Sequence, residues 1–181
     1  MSNTNRYIAL LRGINVGGNN IIKMDALRAE FEKMGFDEIK TYIQSGNVLF
    51  RSDVTDQLIL ESLIERSLAK TFQYQAKILI RSLAEMENTV SYFPVIFQDS
   101  NWKHNVIFLS SVIDFENITD RFKLKADIEQ IAYAPGVLFW SARLEQLSRS
   151  MMIKLSAKKE YQEMTVRNIN TTRKILELMR A

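Results

Sequence analysis

The sequence predicts an α+β fold of two tandem ferredoxin-like (βαββαβ) units, with mainly antiparallel sheets and helices packed on one face. Three observations lead there. Both halves of the 181-residue chain read strand–helix–strand–strand–helix–strand–helix. Matching elements are offset by about 90 residues, within the usual boundary error. Turn signals separate the two central strands of each half, and hairpins joined to right-handed crossovers build an antiparallel sheet. The first unit is expected over residues 1–97 and carries a Gly/Asn-rich loop. The second covers residues 98–181 and ends on a basic helix.

The elements of the first half follow in order. Tyr7 to Leu11 is an apolar run of strand length. Arg12-Gly13-Ile14-Asn15-Val16-Gly17-Gly18-Asn19-Asn20 then forms a loop. Met24, Leu27, Phe31 and Met34 recur at helical spacing, and Gly35 stands where a helix C-cap belongs. Ile39 to Gln44 alternates, with Ile39, Thr41 and Ile43 on one face. Ser45-Gly46-Asn47 reads as a turn, because Gly and Asn tolerate positive φ, and Val48 to Phe50 completes a hairpin. Leu60, Leu63, Ile64 and Leu68 mark a helix from Thr55 to Thr71, and Lys77 to Arg81 is a strand. Ser82 and Glu85 make a capping box, in which each side chain satisfies an open amide at a helix start. Leu83, Met86, Val90 and Phe93 are that helix's apolar stripe.

Pro94 to Lys103 has no clear period and marks the boundary. Asn105 to Leu109 is strand-like, and a weaker helix is expected near Ile118 to Lys125. Ile128 to Tyr133 and Val137 to Ser141 flank the turn Ala134-Pro135-Gly136. Ser148 is expected to open a helix through Leu155, and Tyr161 to Arg167 reads as a short strand. Ile175, Leu176 and Met179 close the chain on a helix.

Composition narrows the function classes. A hydrophobic fraction of 46% and a charged fraction of 25% suit a packed core, with disorder expected only at the termini. The absence of cysteine excludes disulfides, thiolate catalysis and Cys-ligated metal sites. The start lacks a signal-peptide pattern, and no apolar run approaches the roughly 20 residues that span a bilayer. A soluble, cytoplasmic protein without membrane contact is therefore expected. The net charge of +3 is unevenly spread. From Arg143 onward nine basic residues face four acidic ones, which suits a phosphate-bearing partner or a solvated helical face.

Three segments go beyond pattern. They are Leu11 to Asn20, Thr41-Tyr42-Ile43-Gln44-Ser45-Gly46-Asn47-Val48, and Met164-Thr165-Val166-Arg167-Asn168-Ile169-Asn170-Thr171. Together they closely resemble the bacterial family catalogued as domain of unknown function 1697, from about Tyr7 to Leu178. In the third segment Val166 stands where that family more often has Thr, and Ile169 where it more often has an aromatic. The resemblance implies a two-part α+β architecture and no activity.

Candidate chemistry centres on the same segments. Gly17 and Gly18 let backbone approach a ligand, Arg12 adds charge, and Asn15, Asn19 and Asn20 can donate. The loop lacks the Lys-Ser/Thr ending of a P-loop and does not fit G-x-G-x-x-G. A structural turn, with Asn side chains bonding their own backbone, competes equally. In the expected topology the turn Gln44, Ser45, Gly46, Asn47 lies beside the loop. Arg167 and Asn168 precede a helix that Asn170 or Thr171 is placed to cap, and they extend the candidate set. The leading expectation is a ligand-binding protein with a polar, anion- or phosphate-accepting site, which takes a phosphate-bearing small molecule or nucleic acid. The alternative is an interaction protein that forms a homodimer, with structural motifs. An unidentified enzyme comes third. No cofactor or metal is expected, since the lone His104 has no partner histidine or cysteine in sequence. An RNA-recognition string is absent between Asn47 and Asp53. Trp102 and Trp140 are expected in cores or contacts between units.

Overall fold

The computed structural model describes residues 4–15, 20–94, 99–111 and 124–181. In chain order its elements begin with β1 (Asn5–Arg12), α1 (Met24–Lys33), β2 (Asp37–Tyr42), β3 (Asn47–Ser52), α2 (Gln57–Phe72), β4 (Lys77–Ser82) and α3 (Leu83–Tyr92). They continue with β5 (Trp102–Leu109), β6 (Glu129–Ala134), β7 (Val137–Arg143), β8 (Met164–Asn168) and the C-terminal helix α4 (Ile169–Arg180). The strands form two four-stranded sheets ordered β2-β3-β1-β4 and β6-β7-β5-β8. Every neighbouring pair is antiparallel. The fold is thus α+β, with each sheet in the strand order of a βαββαβ unit. By contacts the chain divides into Met1–Glu87 with Lys174–Ala181, and Asn88–Arg173.

In the first unit, strand alternation selects the core. Tyr7, Ala9 and Leu11 of β1, Val48 and Phe50 of β3, and Ile78 and Ile80 of β4 cluster with Leu27 and Phe31 of α1 and Leu60, Ile64 and Leu68 of α2. Each fully buried large side chain contributes about 2 kcal/mol from apolar area alone. Phe50 is held by aromatic neighbours, with ring centroids 5.6 Å from Phe31 and 4.5 Å from Phe36.

The β4 edge is satisfied from above. Glu65 Oε1 accepts from the Ile78 amide at 3.0 Å, and Glu61 Oε1 from the Ile80 amide at 2.9 Å. Those amides point away from β1, so two helix carboxylates stand where another strand would pair. Burial pushes the Glu61 carboxyl above its ordinary value, against the pull of the Ile80 amide and Arg81.

Several boundaries differ from expectation, each for a physical reason. β2 ends at Tyr42 rather than Gln44, because Ile43 takes a left-handed φ of 49° and turns its side chain out. Asn47 is fully buried in β3 and does not belong to the exposed turn. The expected helix from Ser148 to Leu155 is broken into a 3-10 segment Leu144–Arg149, one α-turn Met151–Lys154 and 3-10 turns at Leu155–Ala157 and Lys159–Glu163. Ser150, not Ser148, caps the α-turn, accepting from the Met152 amide at 3.0 Å. The cause is long-range. Buried Glu129 of β6 accepts from Ser150 Oγ at 2.6 Å, the Met151 amide at 3.0 Å and Trp140 Nε1 at 3.2 Å, which pins the segment to the sheet. The 3-10 turn at Lys159–Glu163 also delays the last strand to Met164. Of the helix expected at Ile118 to Lys125, residues 118–123 lie outside the described residues, and Leu124 and Lys125 are not helical.

The capping box forms as its spacing requires. Glu85 Oε2 accepts from the Ser82 amide at 2.7 Å and Ser82 Oγ at 2.8 Å, while Ser82 Oγ accepts from the Glu85 amide at 3.3 Å.

Candidate functional site

The Gly/Asn loop and the β2–β3 turn are tied together in the first unit. Asn15 does most of the tying. Its Nδ2 donates to the carbonyls of Ile22 and Gln44, each at 3.0 Å, and its Oδ1 accepts from the Ile22 amide at 2.8 Å. Asn20 Nδ2 donates to the Gly13 carbonyl at 3.0 Å, and the Asn15 amide donates to the Asn20 carbonyl at 3.2 Å. Asn15 and Asn20 both have left-handed φ, 54° and 50°, where Asn is among the best tolerated side chains.

The turn leans onto the end of β1. The Leu11 amide donates to the Gly46 carbonyl at 2.8 Å. Gly46 has φ +76°, and a Cβ there would lie 2.4 Å from Ile14 Cγ2. Only glycine fits both constraints. Asn47 Nδ2 donates to the Tyr42 carbonyl at 3.0 Å and to Ser45 Oγ at 3.1 Å, closing the turn from inside. Arg12 is half-buried, with its carbonyl accepting from the Tyr74 hydroxyl.

Arg12, Asn15, Asn20, Gln44, Ser45 and Asn47 therefore gather at one end of the first sheet. An Asn side chain carries two N–H donors, and in Asn15 and Asn47 both are engaged within the fold. Gln44 is exposed. Gly17 and Gly18 lie outside the described residues.

Arg167 and Asn168 belong to the second unit, on β8. Arg167 is buried, and its Nη1 donates to the Val166 carbonyl at 2.9 Å. The cap of α4 is Asn168, not Asn170 or Thr171. Its Oδ1 accepts from the Asn170 amide at 2.8 Å.

Asn168 opens on a cleft that sequence reasoning missed. The concavity has a volume of about 480 Å³ and takes in Lys103, His104, Asn170, Arg173, Trp102 and Asp99. Arg173 is laid over the Phe93 ring, with Cζ 5.3 Å from its centroid. His104 Nε2 lies 3.0 Å from the Asp99 carbonyl, an acceptor only, so Nε2 carries a proton. Its Nδ1 meets Ser141 Oγ at 2.7 Å. The imidazole thus forms a wall of the cleft with both nitrogens engaged. The Asp99 carboxylate accepts from the Asn101 amide at 2.8 Å. Sequence held one faint signal of this cleft, the basic excess after Arg143. The β5–β8 register that brings Lys103 and His104 toward Asn168 is a tertiary fact.

Among the described residues no group of His, Asp or Glu is arranged to hold a metal, and no helix is long and apolar enough to cross a membrane.

Residues 4–139 match the family model described as "Protein of unknown function (DUF1697)". The chain belongs to that family. It is also similar to a solved structure, titled as that of conserved bacterial protein SP0830 from Streptococcus pneumoniae, at 27% identity and a TM-score of 0.85. That match covers 97% of this chain and 99% of the other. No curated protein matches. The family model ends before β8 and α4, so Asn168 and Arg173 lie beyond the stretch it matches.

Proposed function

We propose that this DUF1697 protein binds a small anionic ligand in the basic cleft of the second unit. The observation that carries the reading is the meeting of Lys103 from β5 and Arg173 from α4 around one concavity, beside the amide side chain of Asn170 and the ring of Trp102. Pockets for small molecules run to roughly 300–1,000 Å³, and this cleft falls in that range. Guanidinium and ammonium groups on two elements suit an oxyanion, the chemistry of a phosphorylated metabolite, nucleotide or carboxylate. The loop and turn of the first unit enter as scaffold, since their Asn donors hold backbone.

Thermal shift against a panel of nucleotides and phosphorylated or carboxylated metabolites tests the reading. Stabilisation that disappears in Lys103→Ala and Arg173→Ala supports it. No stabilisation at millimolar ligand, or a shift untouched by both substitutions, refutes it.

One observation favours a second reading, an interaction protein. Ile21 and Ile43 flank the residues that Asn15 bridges, and they are 76% and 48% exposed. Light scattering over a wide concentration range tests self-association, and a monomer throughout opposes it. The β4 edge is already occupied by Glu61 and Glu65.

A further inference from the structure

The edge strands β4 and β8 hold the same place in their units, but they are finished differently. Ile8 faces Arg81 as Val106 faces Arg167, and both arginines are buried and donate Nη1 to the carbonyl of the preceding residue. Ser82 therefore corresponds to Asn168, Ile80 to Val166 and Ile78 to Met164. All of these residues turn their amides away from the sheet. In β8 the direction follows from the bond of the Ser110 amide to the Glu163 carbonyl. Hydrogen-bonded pairs alternate along an antiparallel ladder, so Thr165 and Arg167 bond β5, while Met164, Val166 and Asn168 point out.

In β4 each outward amide meets a carboxylate. Ile78 donates to Glu65, Ile80 to Glu61 and Ser82 to Glu85. Glu61 and Glu65 stand on α2, the continuous helix between β3 and β4. The matching connection of the second unit, from β7 to β8, is broken into short turns by the hold of Glu129 on Ser150 and Met151. The Met164 amide bonds the Tyr161 carbonyl. No acceptor among the described residues meets the amides of Val166 and Asn168. A strand edge with open amides and β-branched residues, here Thr165 and Val166, is a template for a further strand.

The pattern of open and engaged groups selects the occupant. Set a second β8 antiparallel to the first, about a two-fold axis at Val166. The Val166 amide then faces the second copy's Val166 carbonyl, and the Asn168 amide faces the second copy's Met164 carbonyl. The bond that remains in this register runs from the Met164 amide to the Asn168 carbonyl, and both groups are already engaged. The amide holds Tyr161, and the carbonyl accepts from Thr172 Oγ1 at 3.1 Å. Arg167 falls opposite the second copy's Thr165, so no like charges oppose one another.

We infer that β8 pairs with β8 of a second copy of this chain, which joins two four-stranded sheets through an isologous two-fold contact. The inference deepens the interaction reading by giving it a surface, and it is independent of the anion-binding reading.

Sedimentation velocity on the full chain, over roughly 1 μM to 1 mM, is expected to show a reversible dimer. Val166→Pro removes an amide that takes no part in the β5–β8 ladder, so the variant should stay folded by circular dichroism and sediment as a monomer. Val166→Lys sets like charges directly opposite each other across the axis and should weaken dimerisation by about tenfold or more, as should Val166→Glu. An equimolar mixture of the lysine and glutamate variants should dimerise again, and this pair decides if Val166→Pro fails to fold. A dimer indifferent to both charges, or a mixture that stays monomeric, overturns the β8 contact and leaves self-association to the Ile21–Ile43 end. A parent chain that is monomeric throughout overturns the inference together with the self-association reading.

Discussion

Replacing Glu129 with alanine is expected to be among the most damaging single changes in the second unit. Glu129 is 2% exposed, and its Oε2 alone receives Trp140 Nε1, Ser150 Oγ and the Met151 amide. Its Oε1 receives the Lys125 amide at 3.0 Å. Trp140 and Ser150 are buried, so their donors cannot turn to water when the carboxylate is removed. A buried donor left without an acceptor costs about 1–3 kcal/mol, which puts the two together at about 2–6 kcal/mol. The Met151 amide is half-buried and adds less. A domain is stable by only about 5–15 kcal/mol, so the loss is a large fraction of the whole. Glu129→Gln separates the bonds from the volume. With its oxygen at the Oε2 position it keeps three acceptor contacts and loses only the Lys125 amide, whose residue is exposed, so about 1 kcal/mol is expected. Urea unfolding followed by fluorescence in a Trp102→Phe background isolates Trp140. An alanine variant within about 1 kcal/mol of the parent would refute the reasoning, because two stranded donors cannot cost so little.

Gly46→Ala should destabilise by about 3 kcal/mol in denaturant unfolding, since it combines a positive φ with a Cβ 2.4 Å from Ile14 Cγ2. Asn15→Ala should cost about 2 kcal/mol, and Asn15→Gly should recover part of this by relieving the left-handed backbone without restoring the bonds to Ile22 and Gln44. Ile43→Asn should raise stability by about 1 kcal/mol, because an exposed β-branched side chain now sits at φ 49°. The Ser67 hydroxyl foremost, with Thr71 and Lys33, holds the Glu30 carboxyl below its ordinary value of 4.5. A depressed carboxyl stabilises the fold above that value and loses its contribution as pH falls below it. Melting temperature against pH should therefore drop less steeply on the acid side in Glu30→Gln than in the parent.

What sequence reveals here follows the range of the interactions. The capping box at Ser82 and Glu85 is a contact over three residues, and it forms as its spacing demands. The strand order follows from hairpin signals at Gly46 and Gly136, both with positive φ. The segment from Leu144 to Glu163 was not legible, because its breaks are set by Glu129, fifteen or more residues earlier in the chain. A periodic run there reads as one helix until a buried acid takes the Met151 amide. The cleft was hidden for a similar reason. Lys103, His104 and Arg173 form no motif, and they converge through the β5–β8 pairing and the first turns of α4.

The strength of a motif and the place of a site need not coincide, and this chain gives a physical reason. The Leu11 to Asn20 and Thr41 to Val48 segments carry strict demands, left-handed backbone at Asn15, Asn20 and Gly46 and three Asn side chains spent on carbonyls. Such demands constrain residue identity whether or not anything binds. Ligand recognition by charge is looser, because a cation on a neighbouring turn can serve as well. Comparing Ser82–Glu87 with Asn168–Arg173 removes that ambiguity. The backbone, the register and the buried arginine stay the same, so what differs between the two places is chemistry rather than fold. Glu85 is satisfied internally at one, and at the other Lys103 and Arg173 line a cleft in which Asp99 is the acid among the described residues. The difference between two copies of one framework locates a candidate site that the sequence's most specific motifs, taken alone, direct attention away from.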